Sequence, residues 1–164
     1  TAYSKKTNPK ELVSWLNNIF TKFDEAAEEF GLEKIKTIGD AYMAVAGLPQ
    51  PRNDHAHCAI LFGKKILQCL AKVRQQTGVN LNMRIGIHSG PVTAGIIGKN
   101  KFIYDIWGDT VNIASRMESQ GKPGRIQITE ATASLLNNEF PLEEQLKLSI
   151  KGHGEMATYL AVQN

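Results

Sequence analysis

Asn112 and Arg116 stand four residues apart in Gly108-Asp109-Thr110-Val111-Asn112-Ile113-Ala114-Ser115-Arg116, a spacing that stacks two side chains one turn apart on a helix. Asn is a poor helix former whose amide prefers caps and turns, so helix propensity does not account for its presence. An amide beside a permanently charged guanidinium can hold a polar ligand and offset negative charge that develops on it. Taken alone, the pair also fits a solvated face with a surface arginine. A second group lies in Lys36-Thr37-Ile38-Gly39-Asp40-Ala41-Tyr42, where Gly39-Asp40 is a turn pair that admits positive backbone angles. Asp40 there either caps the turn or offers a carboxylate at a hairpin tip. Lys36 on a strand either snorkels to solvent or reaches a ligand. Asp105 closes the set, in a strand-like alternation of Phe102, Tyr104 and Ile106 with Ile103 and Asp105.

The elements that must position these groups follow from pattern. Asn8-Pro9-Lys10-Glu11 has a capping Asn, Pro at the first helical position and Glu three residues after the cap. Leu12, Leu16, Ile19, Phe23 and Phe30 continue as a helical stripe that predicts a helix from Pro9 to Phe30, ended by Gly31. A hairpin about Gly39-Asp40 follows, then a Pro-rich loop and a helix over 54–76. Leu81, Met83, Ile85 and Ile87 alternate with polar or small residues as a half-buried strand, and Val92–Ile97 is expected to pair with it. Gly108-Asp109 offers an N-cap to the Asn112–Arg116 helix. Strands are expected at 125–128, 145–150 and 157–162, with a short helix over 130–137. The order implies an α+β sandwich, helices on one face of a largely antiparallel sheet.

Composition narrows the function classes. The 164 residues are expected to form one domain, with 42% hydrophobic and 21% charged residues and a formal charge of +3. The lysines are dispersed, so no nucleic-acid partner is inferred, and the aromatics do not fall in an RNA-binding strand pattern. No stretch approaches the roughly 18 apolar residues of a membrane span, and no signal sequence opens the chain. The expectation is a soluble, cytoplasmic domain of a parent that carries membrane segments, if any, elsewhere. Cys58 and Cys69, on one predicted helix, are separated by about 16 Å of rise, beyond the reach of a disulfide, and read as core thiols in a reducing compartment. His88 and His153 look isolated, and no zinc spacing occurs. Gly90-Pro91-Val92-Thr93-Ala94-Gly95 has Walker-like glycine spacing, but Ile96-Ile97 follows where Lys and Ser or Thr are required.

Together, K-I-K-T-I-G-D-A-Y-M at 34–43 and Y-D-I-W-G-D-T-V-N-I-A-S-R-M at 104–117 closely resemble the two signature segments of the class III nucleotide cyclase catalytic domain. The likeness continues through Arg84–Gly98 and ends in Ile150-Lys151-Gly152-His153-Gly154, similar to the family's late K-G-x-G turn. It lacks the opening F-x-D-I-x-x-F-T segment, whose Asp binds metal. Thr1 matches the last residue of that segment, so the resemblance implies a ferredoxin-like βαββαβ arrangement with its first strand missing from this chain.

The resemblance implies an adenylyl cyclase converting ATP to 3′,5′-cyclic AMP and pyrophosphate, assisted by two divalent cations, Mg2+ or Mn2+. By position, Asp40 matches a metal-binding carboxylate, Asn112 the ribose-orienting Asn and Arg116 the transition-state Arg. Lys151 matches the Lys that holds the terminal phosphates. Lys101 is a weaker match to a further basic position, which falls on Asn100. Lys36 and Asp105 match the base-reading pair of adenine-selective members. Adenine offers an acceptor at N1 and a donor at its 6-amino group, complementary to Lys and Asp, where guanylyl cyclases usually carry Glu and Cys. The family's division of labour implies a head-to-tail homodimer with composite sites, an inactive monomer and regulatory domains in a longer parent. The chain alone is expected to be inactive. The alternatives are a guanylyl cyclase and a non-catalytic cyclase-homology module that binds nucleotide or only dimerises.

Overall fold

A computed structural model describes residues 9–78, 81–100, 102–150 and 152–162. Helix α1 spans Pro9–Phe30 as the periodicity predicts; the capping Asn8 lies outside the described residues. Ile19, Phe23, Ala26 and Ala27 form its buried stripe. Gly31, at φ +68°, ends the helix and turns the chain into strand β1 (Leu32–Ile38), which pairs antiparallel with β2 (Ala41–Ala46). The turn is Gly39-Asp40, with Gly39 at φ +61°, a backbone state that glycine adopts without Cβ strain.

Helix α2 (His55–Thr77) packs on α1 and is closed by left-handed Gly78. Its two buried faces build two cores. Phe62, Ile66 and Leu70 meet Phe23 and Ala27 of α1, with Tyr42 of β2 packed against them. Ile60 and Leu67 meet Ile126 and Ile128 on the sheet. That sheet has the order β3-β6-β8-β7, from Ile85–Ile87, Ile126–Thr129, Gly154–Ala161 and Leu142–Ile150; β3 and β6 run parallel and the other pairs antiparallel. Strands β4 (Thr93–Ile97) and β5 (Ile103–Trp107) form a separate antiparallel ribbon. Helix α3 spans Asp109–Ser119. The expected 130–137 helix is an α-helical turn, α4 (Glu130–Ala133), running into a 3-10 turn at Ser134–Leu136.

Three expectations are corrected. Val92–Ile97 does not pair with β3: Gly90-Pro91 turns the chain away, so that β4 folds onto β5 while β3 pairs with β6. Helices cover both faces of the sheet. Ile85 and Ile87 face the α2 side, whereas a Cβ on Gly86 would lie 2.1 Å from the Glu118 backbone nitrogen of α3, on the opposite face as strand alternation requires. Asp109 is the first residue of α3, not its cap; Gly108 occupies the cap at φ +138° with no side-chain hydrogen bond. Among the described residues β2 and β3 share no ladder, although both contact α2.

Candidate active site

The β1–β2 ribbon and the β4–β5 ribbon meet at one ion pair. Lys36 Nζ donates to Asp105 Oδ2 at 2.5 Å, while Asp105 Oδ1 accepts the Ile106 backbone N–H at 2.8 Å. Asp105 is only 14% exposed and Lys36 38%. The Lys36 ammonium, helped by the Ile106 amide, holds the Asp105 carboxyl below its ordinary value, so it stays ionised. Each partner keeps capacity: an ammonium has three donors, and each carboxylate oxygen has two lone pairs. Opposite Asp105 on β4 is Gly95, so no cross-strand side chain covers the carboxylate on that flank. The pair is a preformed donor and acceptor side by side.

Strand β5 leads through Trp107-Gly108 into α3, which carries the two groups of the first motif. Ile113 and Met117 are buried, and Asn112 and Arg116, each one residue earlier, are both exposed. The four-residue spacing therefore places amide and guanidinium together on the outer face. Glu118, the nearest carboxylate along the helix, is engaged by Arg84 at 2.9 Å. Arg116 makes no ion pair among the described residues, and its guanidinium is open to an anion.

Gly86 decides where that helix sits. Besides the Glu118 nitrogen, its Cβ would meet the Ala114 carbonyl oxygen and Met117 carbonyl carbon at 2.6 Å, so α3 lies directly on the β3 backbone. Thr110 Oγ1 donates to the Pro91 carbonyl at 2.6 Å and ties the helix start to the preceding loop. Sequence reasoning did not single out Gly86 as a site residue, and its only signal was a glycine inside an apolar strand pattern. The histidines read as isolated are not. His88 Nδ1 lies 2.7 Å from Thr129 Oγ1, and His153 Nε2 lies 2.7 Å from Asp109 Oδ2. Burial pushes the His88 imidazole below its ordinary value.

Asp40 stands exposed at the tip of the β1–β2 turn, four residues along the same ribbon from Lys36. Among the described residues no group of three or more His, Cys, Asp or Glu could hold a metal ion. Asp40 offers a single carboxylate at that tip. Lys151 and Lys101 lie outside the described residues.

The family model described as the adenylate and guanylate cyclase catalytic domain matches residues 1–163. This chain belongs to the class III nucleotide cyclases. An adenylate cyclase of Mycobacterium tuberculosis (strain ATCC 25618 / H37Rv) is 39% identical to the cyclase chain over 162 residues, 99% of it and 37% of the relative. The chain thus spans little more than a third of the curated relative. The guanylate cyclase domain of RhGC from Catenaria anguillulae, solved with GTP, is 37% identical with a TM-score of 0.93, covering 99% of this chain and 90% of that one. The catalytic core of a rhodopsin-guanylyl cyclase with converted specificity, solved with ATPalphaS, is 39% identical with a TM-score of 0.93, covering 99% and 89%. The cyclase domain therefore has the mixed α+β fold of this family, and among its described residues no helix is long and apolar enough to cross a membrane. The likeness reaches adenylyl and guanylyl members alike, so the choice of base rests on the residues.

Proposed function

We propose that this cyclase domain is an adenylyl cyclase, forming 3′,5′-cyclic AMP and pyrophosphate from ATP. The Lys36–Asp105 pair carries the reading: Lys36 donates to adenine N1 and Asp105 accepts from the 6-amino group, whereas guanine, a donor at N1 and an acceptor at O6, would face like against like. The similar rhodopsin-guanylyl cyclase core with converted specificity, solved with ATPalphaS, supports a reading in which a few residues such as this pair choose the base. In the reaction the 3′-hydroxyl gives up its proton, its oxygen bonds the α-phosphorus, and the bond from that phosphorus to pyrophosphate breaks. Asn112 orients the ribose, Arg116 offsets charge on the equatorial phosphate oxygens, and Lys151 holds the terminal phosphates. Asp40 would hold divalent metal, Mg2+ or Mn2+, which when bound supplies Lewis-acid stabilisation of the attacking and leaving oxygens.

Catalysis on this reading belongs to a homodimer in which Asp40 serves one site and Lys36, Asp105, Asn112 and Arg116 the other. Ile96, Ile97, Phe102, Ile103 and Trp107 support it, because they leave apolar surface exposed on the β4–β5 ribbon. The longer relative fits a parent carrying regulatory domains, and the free thiols Cys58 and Cys69 fit a cytoplasmic setting. The test is cyclic nucleotide production by the full-length protein that carries this chain, with Mn-ATP and Mn-GTP. Cyclic AMP should dominate; preference for GTP overturns the choice of base, and no product from either overturns catalysis.

A further inference from the structure

Two parts of the site that are far apart in sequence touch at the start of α3. The β7–β8 hairpin ends in a tight turn: Ile150 pairs with Gly154, the His153 N–H donates to the Ile150 carbonyl at 2.9 Å, and Gly152 and Gly154 take φ of +89° and +72°. From this turn His153 Nε2 reaches Asp109 Oδ2 at 2.7 Å, and Asp109 is the first residue of the helix that carries Asn112 and Arg116. Its carboxylate lies at the positive end of the helix, where negative charge is favoured, and a hydrogen bond to a carboxylate is stronger than a neutral one.

We propose that Asp109 and His153 form a positioning clamp that fixes the tip of the β7–β8 hairpin on the N-terminus of α3, setting the register between the Gly152-His153-Gly154 turn and the Asn112–Arg116 face. This rests on the functional reading above, in which that turn serves the terminal phosphates and α3 the ribose and α-phosphate. The apolar contact beneath does not set the register alone. Ile150, buried with Ile113 and Met117 and flanked by Leu148 and Met156, seats the hairpin on α3, but apolar contact is non-directional. The polar pair at the tip adds direction. A nearby anionic side chain would also repel a triphosphate, and the imidazole occupies the Asp109 oxygen on the hairpin side. The helix start is also held, separately, by Thr110 on the Pro91 carbonyl. The pair therefore completes the seating of α3 between the loop after β3 and the β7–β8 hairpin.

The test uses the full-length protein that carries this chain, with His153→Ala, Asp109→Ala, the double variant and His153→Gln, whose amide can still donate to Asp109. For Mn-ATP, each alanine variant should raise KM about tenfold with kcat changed less than about threefold. The double variant should be no worse than either single, and His153→Gln should stay within about threefold of wild type. Amide hydrogen exchange at Gly152–Glu155 should accelerate in Asp109→Ala, although Asp109 belongs to another element. Multiplying single effects, a loss confined to kcat, or unchanged exchange at the turn overturns the clamp. If the wild type makes no cyclic nucleotide, the functional reading fails, and the exchange measurement still decides the clamp.

Discussion

Lys36 Nζ and Asp105 Oδ2 meet at 2.5 Å across 69 residues of chain, joining the ribbon that ends in Asp40 to the strand that feeds α3. Lys36→Glu with Asp105→Cys replaces the donor by an acceptor and removes the carboxylate. Adenine would then leave polar groups unpaired at about 1–3 kcal/mol each, or roughly tenfold to a hundredfold in specificity. The ratio of kcat/KM for ATP and GTP in the full-length protein that carries this chain should fall by that amount. An undiminished ATP preference in a folded dimer would remove base reading from these residues.

Mixing separates a shared site from a site within one subunit. Asp40→Ala and Arg116→Ala domains should each be inactive and regain cyclic AMP production when combined, because one site of a mixed dimer then carries both changes and the other neither. Activity should approach about half the wild-type sites per mixed dimer. Absence of rescue, with heterodimers shown by mass spectrometry, argues against the division of residues between subunits.

Gly86→Ala forces a methyl group to within 2.1 Å of the α3 backbone, where no flexible side chain can yield. Overpacking of this kind costs about 1–3 kcal/mol, which at this chain length lowers Tm by several degrees. The displaced helix should also reduce kcat. Gly95→Ala is the control, since its Cβ meets Trp107 at an ordinary 3.5 Å; its thermal stability should stay within about 0.5 kcal/mol of wild type. Equal Tm for the two variants would mean that α3 is not seated as described.

His88 gives stability an acid limb. Burial lowers its folded-state pKa, opposed by Asp109 and reinforced by His153, so below the ordinary histidine value of about 6.5 the unfolded chain binds the proton more readily. Stability should be intact above that value and fall as pH drops from it toward the folded pKa. His88→Gln should flatten this part of the Tm–pH curve between about pH 7.5 and 5. A limb unchanged in the variant would assign the titration to another group.

Much of this was legible in the sequence for a local reason. Pro9, Gly31 and Gly78 delimit helices through backbone constraints that act within a few residues, and the apolar periods of α1 and α2 state which face is buried. The positions of Asp40, Asn112 and Arg116 on a turn and on one helical face follow from period and turn chemistry alone. Pairings between distant segments were a different matter. Alternation showed that Val92–Ile97 is a strand but not which strand it joins, because a period of two states which side chains share a face and nothing about the partner; β4 pairs with β5, and β3 with β6. The two-sided covering of the sheet turned on Gly86, whose missing side chain is silent until α3 is seen resting on it. His153 looked solitary because its partner is 44 residues away in sequence and reaches it only when the β7–β8 hairpin folds over the start of α3. Local steric and periodic constraints set the elements, and the closing of long loops, where contact free energy outweighs chain entropy, decided which of them meet.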